Sequence, residues 1–442
     1  MNKLDALITG VPECTFPTPL KYAGCDPSAA IRYRTAVDRV RVFPCITPEL
    51  DDAETVFERA GPREFITGDP AQMTAAILTC GGLCPGLNDV IRGLVMSLKH
   101  HYGVGNVLGI RYGYAGLTPD GLPPIDLSPE SVAEIHRDGG SMLGTSRGAQ
   151  EVGVMADQIK KLGITKLFVI GGDGTQRGVL ELSEELARRG EAVSVVGIPK
   201  TIDNDIMWVD QSFGFDTAVD IAARIITDAH VEAKSTERGV GIVKVMGRDS
   251  GFIAGCAALA SLEANVVLVP EVPFVFEGPG GLLQWLETRL AEKDHVVLVT
   301  AEGAGQEHFQ ALEEQRDASG NKLHNDIGDL LCARIKSHFD GIGKPVKMKY
   351  FDPGYSVRSA PACGTDRIYC TRLAHAAVHA AMSGRTAMMV SRWSGHYVHV
   401  PLELVTEGRR KINPAGSLWR TVLEATGQPC LTAGARGGDA CR

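Results

Sequence analysis

The sequence predicts an α/β protein of two units, each a parallel sheet covered by helices. Three observations carry that expectation. From Thr74 onward, short apolar runs rich in strand-forming residues alternate with segments of helical spacing, the pattern of strands joined by crossover helices. Glycine-rich turns fall where several of those runs end. The chain has 442 residues, 44% of them apolar, more than a single core usually holds.

In chain order, residues 1–72 mix prolines, charges and short apolar pieces without sustained periodicity, and read as an extension laid against a neighbouring unit. A first strand is expected over residues 75–79, then a loop at 79–88 (TCGGLCPGLN), then a helix with Val90, Ile91, Leu94, Val95 and Leu98 on one face. Further strands are expected at 106–111, 166–170 and 193–198, with a helix over 176–189 whose Val179, Leu180, Leu182 and Leu186 recur at helical spacing. The second half repeats the style at 242–246, 266–269 and 295–300. Beyond Gly427 the tail, with Gly434, Gly437 and Gly438 among small polar residues, reads as flexible.

A formal net charge of -8 and a pI near 5.9 give no basic surface for nucleic acid or an anionic membrane, so any anion site must be a local pocket. No stretch approaches the roughly 18 apolar residues of a membrane span, and the first residues (MNKLDALITG) lack the basic and long apolar parts of a signal peptide. A cytoplasmic location is the expectation. The 11 cysteines show no CxxC pairing; Cys80, Cys256 and Cys332 read as reduced core residues. Cys84, inside a glycine loop, reads as a small packing residue, with a reactive thiol as the alternative.

Chemistry concentrates in three loops, each after an apolar run. Residues 170–175 (IGGDGT) place one carboxylate and one hydroxyl among glycines between a strand and a helix. Glycines let backbone N–H groups approach an anion, and the helix start adds partial positive charge, so the loop reads as a phosphate and Mg²⁺ site. The loop at 79–88 presents Gly81, Gly82 and Gly86 in a spacing that is neither a Walker A box nor the dinucleotide fingerprint, which implies a different cradle. Residues 197–205 (GIPKTIDND) gather two carboxylates and a lysine; alternation in an extended loop would turn Thr201, Asp203 and Asp205 to one side. One acid accepting a hydroxyl proton while another helps hold a metal is the division of labour that phosphoryl transfer needs.

The three loops together resemble the phosphofructokinase family, from about residue 57 to about 404. Further family-like stretches are 113–117 (GYAGL), 139–148 (GGSMLGTSRG), 212–217 (SFGFDT), 245–251 (VMGRDSG), 301–303 (AEG) and 352–358 (DPGYSVR). The extended N-terminus, GGLCPGLNDVIR and PKTIDND are most similar to the longer ATP-dependent enzymes of plants and trypanosomatids. The resemblance implies two Rossmann-like three-layer α/β lobes after the N-terminal extension, with the active site in the cleft between them. Residues 73–215 plus about 357–407 would hold nucleotide, and 216–356 plus about 408–442 the sugar phosphate. It also implies a glycolytic, Mg²⁺-dependent 6-phosphofructokinase that phosphorylates the 1-hydroxyl of fructose 6-phosphate with ATP. Such enzymes are homo-oligomers, dimers or tetramers, and commonly allosteric.

Carried over by motif, Asp203 would accept the sugar hydroxyl proton, Asp173 would bind Mg²⁺ with Asp205 in support, and Thr201 would touch the transferring group. Arg147 and Arg248 would stabilise charge on the donor and acceptor sides. Gly82, Tyr114, Gly172, Gly174, Thr175 and Gly178 belong to the nucleotide side. Ile202, Met246, Gly247, Glu302, Tyr355 and Arg358 belong to the sugar phosphate, with Arg358 suited to the 6-phosphate. Tyr355 and Lys349 stand where short bacterial enzymes have histidine and a second arginine, and Arg238 is a loose match to an arginine shared across subunits. Gly174 is ATP-like, since pyrophosphate users commonly place aspartate there; Lys200 is pyrophosphate-like but would neutralise either donor's phosphates. ATP is the expected donor and pyrophosphate the alternative. NAD and lipid kinases share GGDGT but not PKTIDND or MGRDSG, and a noncatalytic regulatory subunit would be expected to lose one of the acids.

Overall fold

The computed structural model describes residues 6–8, 11–20, 33–43, 55–309 and 323–431. Parts of the N-terminal extension, and the tail glycines Gly434, Gly437 and Gly438, lie outside the described residues. The chain divides into two compact units. The first is drawn from Met1–Thr201, Ile206–Gly214 and Ser359–Arg409, the second from Ile202–Asp205, Phe215–Arg358 and Arg410–Arg442.

The first unit is built on a nine-stranded sheet. Its strand order is Arg39–Arg41, Val56–Arg59, His396–Pro401, Met388–Trp393, Ser194–Pro199, Lys166–Gly171, Thr74–Thr79, Asn106–Gly109 and Ile125–Asp126. The strands from Met388–Trp393 to Asn106–Gly109 run parallel, and every pairing outside them is antiparallel. Lys166–Gly171 and Ser194–Pro199 are buried at every position, as continuous apolar strands covered on both faces must be. Ala76, Leu78, Leu167, Val169, Val179, Leu182 and Val195 share one core cluster.

Two strands of the extension, Arg39–Arg41 and Val56–Arg59, lengthen this sheet. Buried Glu58 fixes them: it accepts from Arg63 at 2.5 Å and Arg385 at 2.6 Å, and pairs with His399 Nδ1 at 3.1 Å. Burial alone would raise its pKa, but the hydrogen bonds and charges of His399 and Arg385 hold the carboxyl well below the usual range.

The second unit carries a four-stranded, wholly parallel sheet in the order Val266–Leu268, His295–Ala301, Gly239–Val245, Lys347–Phe351. Val240, Ile242, Leu298, Leu286, Leu331 and Phe339 pack in its core cluster. Lys347–Phe351 alternates between exposed and half-buried positions, as an edge strand does.

Expected strand bounds hold to within a few residues, but one helix differs. It runs Asp173–Arg188, starting three residues before the expected 176, because Gly172 serves as its N-cap and Asp173 takes the first helical position. Asp173 therefore sits in the first turn, where a carboxylate meets the positive end of the helix. Cys80 and Cys84 are buried, whereas Cys256 and Cys332 are only partly so. Burial pushes the Cys80 thiol up to about 12. Cys84 packs under the loop, its Sγ 3.2 Å from Phe213 O, and so behaves as a packing residue.

Candidate active site

The five parallel strands of the first unit lie in the spatial order second, first, third, fourth, fifth by sequence. Crossovers therefore leave Thr74–Thr79 and Lys166–Gly171 in opposite directions, and the carboxyl ends of these neighbours form a topological switch point, where open α/β sheets bind ligands. The loops at 79–88 and 171–175 begin there.

The first loop is held by backbone and hydroxyls. Cys80 N donates to Ile170 O (2.9 Å) and Gly81 N to Ser146 O (2.9 Å), while Thr145 Oγ1 donates back to Gly81 O (2.5 Å). This joins the 139–148 stretch to the loop and leaves Arg147, next in sequence, exposed. Gly86, the N-cap of the helix Leu87–Met96, has φ 98°, and a Cβ there would stand 2.6 Å from Cys370 Sγ; only glycine fits. Buried Lys200 enters from the end of Ser194–Pro199, and its Nζ donates to Gly82 O at 2.7 Å. Thr201 is anchored through its carbonyl, which accepts from Ser212 Oγ at 2.6 Å.

The helix Asp173–Arg188 has no side-chain cap on its first N–H groups, which leaves its N-terminus suited to an anion. A Cβ at Gly174 would meet nothing within 4 Å. Tyr114 packs its ring against Gly178, where a Cβ would lie 2.9 Å from the ring, and its hydroxyl donates to Thr175 O at 2.8 Å. Burial pushes that phenol far up, so it serves as a neutral brace under the loop. Asp173 Oδ2 accepts from Arg409 Nε (2.9 Å) and Nη2 (2.6 Å), with Arg177 Nη2 at 3.7 Å. Among the described residues no group of three or more His, Cys, Asp or Glu forms a metal cage. One carboxylate in the first turn of a helix without a side-chain cap fits Mg²⁺, which keeps water and substrate oxygens and needs few protein ligands.

In the second unit the stretches 245–251, 301–303 and 352–358 each leave a carboxyl end of the sheet. After Gly239–Val245 come Met246, Gly247 and Arg248. Arg248 has φ 50°, its N–H donates to Glu302 Oε1 at 2.9 Å, and its Nε lies 3.6 Å from Asp203 Oδ2. Glu302 follows the neighbouring strand His295–Ala301. Ser250 Oγ reaches Asp203 O (3.1 Å) and Gly247 O (3.0 Å), fastening the acid's backbone to the arginine turn. Asp203, Arg248 and Glu302 are thus brought together.

The expected alternation of Thr201, Asp203 and Asp205 does not hold. Asn204 takes φ 57°, a left-handed residue that interrupts an extended run, and Thr201 groups with the first unit while Ile202–Asp205 group with the second.

Tyr355 and Arg358 share the helix Gly354–Ser359, the guanidinium standing 5.2 Å from the ring centroid. Met246 packs beside Gly354. Lys349 stands apart, on the exposed side of the edge strand and 3.5 Å from Glu232. Arg238 lies at the amino end of Gly239–Val245, its N–H bonded to Asp294 and its Nε to Pro345 O, at the end of the strand opposite Met246.

Four contributors were absent from the sequence reading. Arg409 holds Asp173 across a separation of 236 residues. Gln176, fully buried, donates to Gly171 O and Ile198 O and so ties two strand ends together. Glu271 Oε1 accepts from Gly251 N and Ile412 N. Lys244 Nζ bridges Asp326 (2.5 Å) and Asp352 (3.0 Å), and Asp352 in turn accepts from Gly354 N. Burial would lower the Lys244 pKa, but the bonds to Asp326, Asp352 and Tyr350 raise it, fixing the ammonium. All four act through contacts that have no local signature in the sequence.

A phosphofructokinase family profile matches residues 74–381. An ATP-dependent 6-phosphofructokinase of Borreliella burgdorferi is 48% identical over 85% of this chain and 86% of its own length. The chloroplastic ATP-dependent 6-phosphofructokinase 4 of Arabidopsis thaliana is 46% identical over 95% of this chain and 79% of its own. Among solved structures, a pyrophosphate-dependent phosphofructokinase from Marinobacter aquaeolei superposes with a TM-score of 0.67 at 22% identity, covering 82% of this chain and 93% of that one. Another, the phosphofructokinase of Pichia pastoris in the T-state, gives a TM-score of 0.62 at 22% identity over 76% of this chain and 35% of its own; at such identity these likenesses speak to the fold. With glycine loops at a switch point, acids and arginines at the ends of a second parallel sheet, and relatives matching along most of its length, the chain belongs to the phosphofructokinase family.

Proposed function

We propose that this chain is an ATP-dependent 6-phosphofructokinase, transferring the γ-phosphoryl group of ATP to the 1-hydroxyl of fructose 6-phosphate. The observation that carries the donor assignment is the open space at Gly174 beside an uncapped helix N-terminus; the names of the full-length relatives agree with it. A triphosphate needs that space for its α-phosphate, whereas pyrophosphate does not.

In this reading the loops at 79–88 and 171–175 cradle the donor's phosphates through backbone N–H groups, and Lys200, held on Gly82 O, supplies positive charge at their edge. Asp173 would hold a Mg²⁺ ion that neutralises charge on the phosphates. Arg358, stacked on Tyr355, receives the 6-phosphate, and Glu302 and Met246 orient the sugar. Asp203 takes the proton of the 1-hydroxyl as that oxygen bonds to phosphorus and the bond to ADP breaks. Arg248, already within 3.6 Å of Asp203, stabilises the transferring charge once the protonated acid no longer competes for it. Catalysis is then mostly positioning and neutralisation.

Lys200 favours a second reading, a pyrophosphate-dependent fructose-6-phosphate 1-phosphotransferase, since a buried ammonium at the glycine loop suits a compact tetra-anion. The test is fructose 1,6-bisphosphate formation by purified protein with Mg²⁺ and either ATP or pyrophosphate. Turnover with ATP alone supports the assignment; turnover with pyrophosphate alone replaces it with the second reading.

A further inference from the structure

Arg409 lies outside the stretch matched by the family profile, yet it hydrogen-bonds the proposed metal carboxylate directly. Both its Nε and its Nη2 converge on one oxygen, Asp173 Oδ2, at 2.9 and 2.6 Å. The pair is well sheltered, with side chains 24% and 14% exposed. Arg409 is fixed from its backbone as well, through a bridge to Ile206. A forked guanidinium on a single carboxylate oxygen is a charge-assisted contact of the stronger kind, and it occupies lone pairs that a divalent cation would use.

We propose that Arg409 and the donor's divalent cation are alternative partners of Asp173, so that Arg409 is a positioning residue that sets how strongly metal promotes donor binding. With no metal, the guanidinium neutralises Asp173 and keeps the helix start receptive to phosphate anions. When metal arrives on the donor, the carboxylate exchanges one cation for the other, and the guanidinium is left beside the phosphates. The inference deepens the reading of Asp173 as the metal residue and rests on it.

The readout is the ratio of two dissociation constants for the non-hydrolysable nucleotide AMPPNP on the full chain, with EDTA and with saturating Mn²⁺, measured by calorimetry. Arg409→Gln is expected to raise this metal enhancement about tenfold, because a competing charged contact is removed while metal-free binding weakens. Arg409→Lys, which retains charge without the fork, should fall between. A merely structural role would shift both constants alike and leave the ratio where it was. An unchanged or reduced ratio in Arg409→Gln overturns the proposal. Asp173→Asn separates the two levels. If the wild-type enhancement survives in that variant, Asp173 is not the metal residue and the underlying reading fails as well; if the enhancement is lost there but indifferent to Arg409, only the competition fails.

Discussion

Replacing Gly174 by aspartate puts the donor assignment at risk without endangering the fold. A Cβ there meets nothing within 4 Å, and Gly174 is exposed at the second position of the helix Asp173–Arg188. Replacing glycine inside a helix, with an acid in its first turn, should leave stability unchanged or raise it by about 0.5–1 kcal/mol. The new carboxylate would stand where an α-phosphate is expected. Two like unit charges ~5 Å apart at an effective dielectric constant of ~20 repel by about 3 kcal/mol, or about a hundredfold in affinity. Steady-state kinetics with ATP and fructose 6-phosphate varied separately, together with a thermal melt, give the comparison. The expectation is an ATP KM raised about a hundredfold, a fructose 6-phosphate KM within about twofold, and a melt that is unshifted or slightly raised. An ATP KM that does not move, or equal loss for both substrates in a protein that melts normally, would refute the reasoning.

Asp203→Asn should lower kcat by about 10²–10⁴ while the fructose 6-phosphate KM moves only a few-fold, and a retained kcat in initial-rate assays would remove Asp203 as the base. Lys244→Met frees Asp352 and the helix that carries Tyr355 and Arg358, so the fructose 6-phosphate KM should rise about tenfold with less change in kcat; the same rates decide it. Lys166 is 3% exposed, bonded to Thr67 and Ser194 hydroxyls, and burial lowers its pKa from 10.5 to about 8. Between those values the unfolded chain binds more protons, so stability rises with pH across that window, and the full penalty of about 3 kcal/mol stands below pH 8. Urea unfolding of the wild type and Lys166→Met should therefore converge by about that amount between pH 7.5 and 10.5, and parallel curves would show that Lys166 is not the titrating group.

Most of the parallel strands at the centre of both sheets were legible because buried strands read as continuous β-branched and aliphatic runs: Lys166–Gly171 and His295–Ala301 could be little else, whereas Met388–Trp393, with only a short apolar start, was not among the expected strands. Lys347–Phe351 was not, because an edge strand alternates charged and apolar residues and gives no long apolar run. The helix start was misplaced for a local reason. Sequence rules look for a capping side chain, and Gly172 offers none, so nothing in the sequence marks Asp173 rather than Gln176 as the beginning. At the site, residues inside the motifs were visible because glycines and acids crowd a strand end. Arg409, Gln176 and Lys244 were invisible because their meaning lies in partners distant in sequence or in a buried amide bridging two strand ends. The turn at Asn204 was hidden too, since a left-handed asparagine leaves no trace in an alternating pattern.

The first unit's sheet closes late in synthesis. Ser194–Pro199, buried throughout, has Met388–Trp393 as its neighbour on one side, and that partner leaves the ribosome roughly two hundred residues later, about ten to forty seconds at ordinary rates of translation. During that interval an apolar strand stands with one row of peptide groups unpaired, the kind of edge on which nascent chains adhere to one another. A chain interrupted after Gly214 would hold the glycine loops and Asp173 yet leave that seam open for good. Truncated products should accordingly depend on chaperones and precipitate when released, and separating the first unit for study will require joining residues 359–409 back to it rather than cutting the gene once.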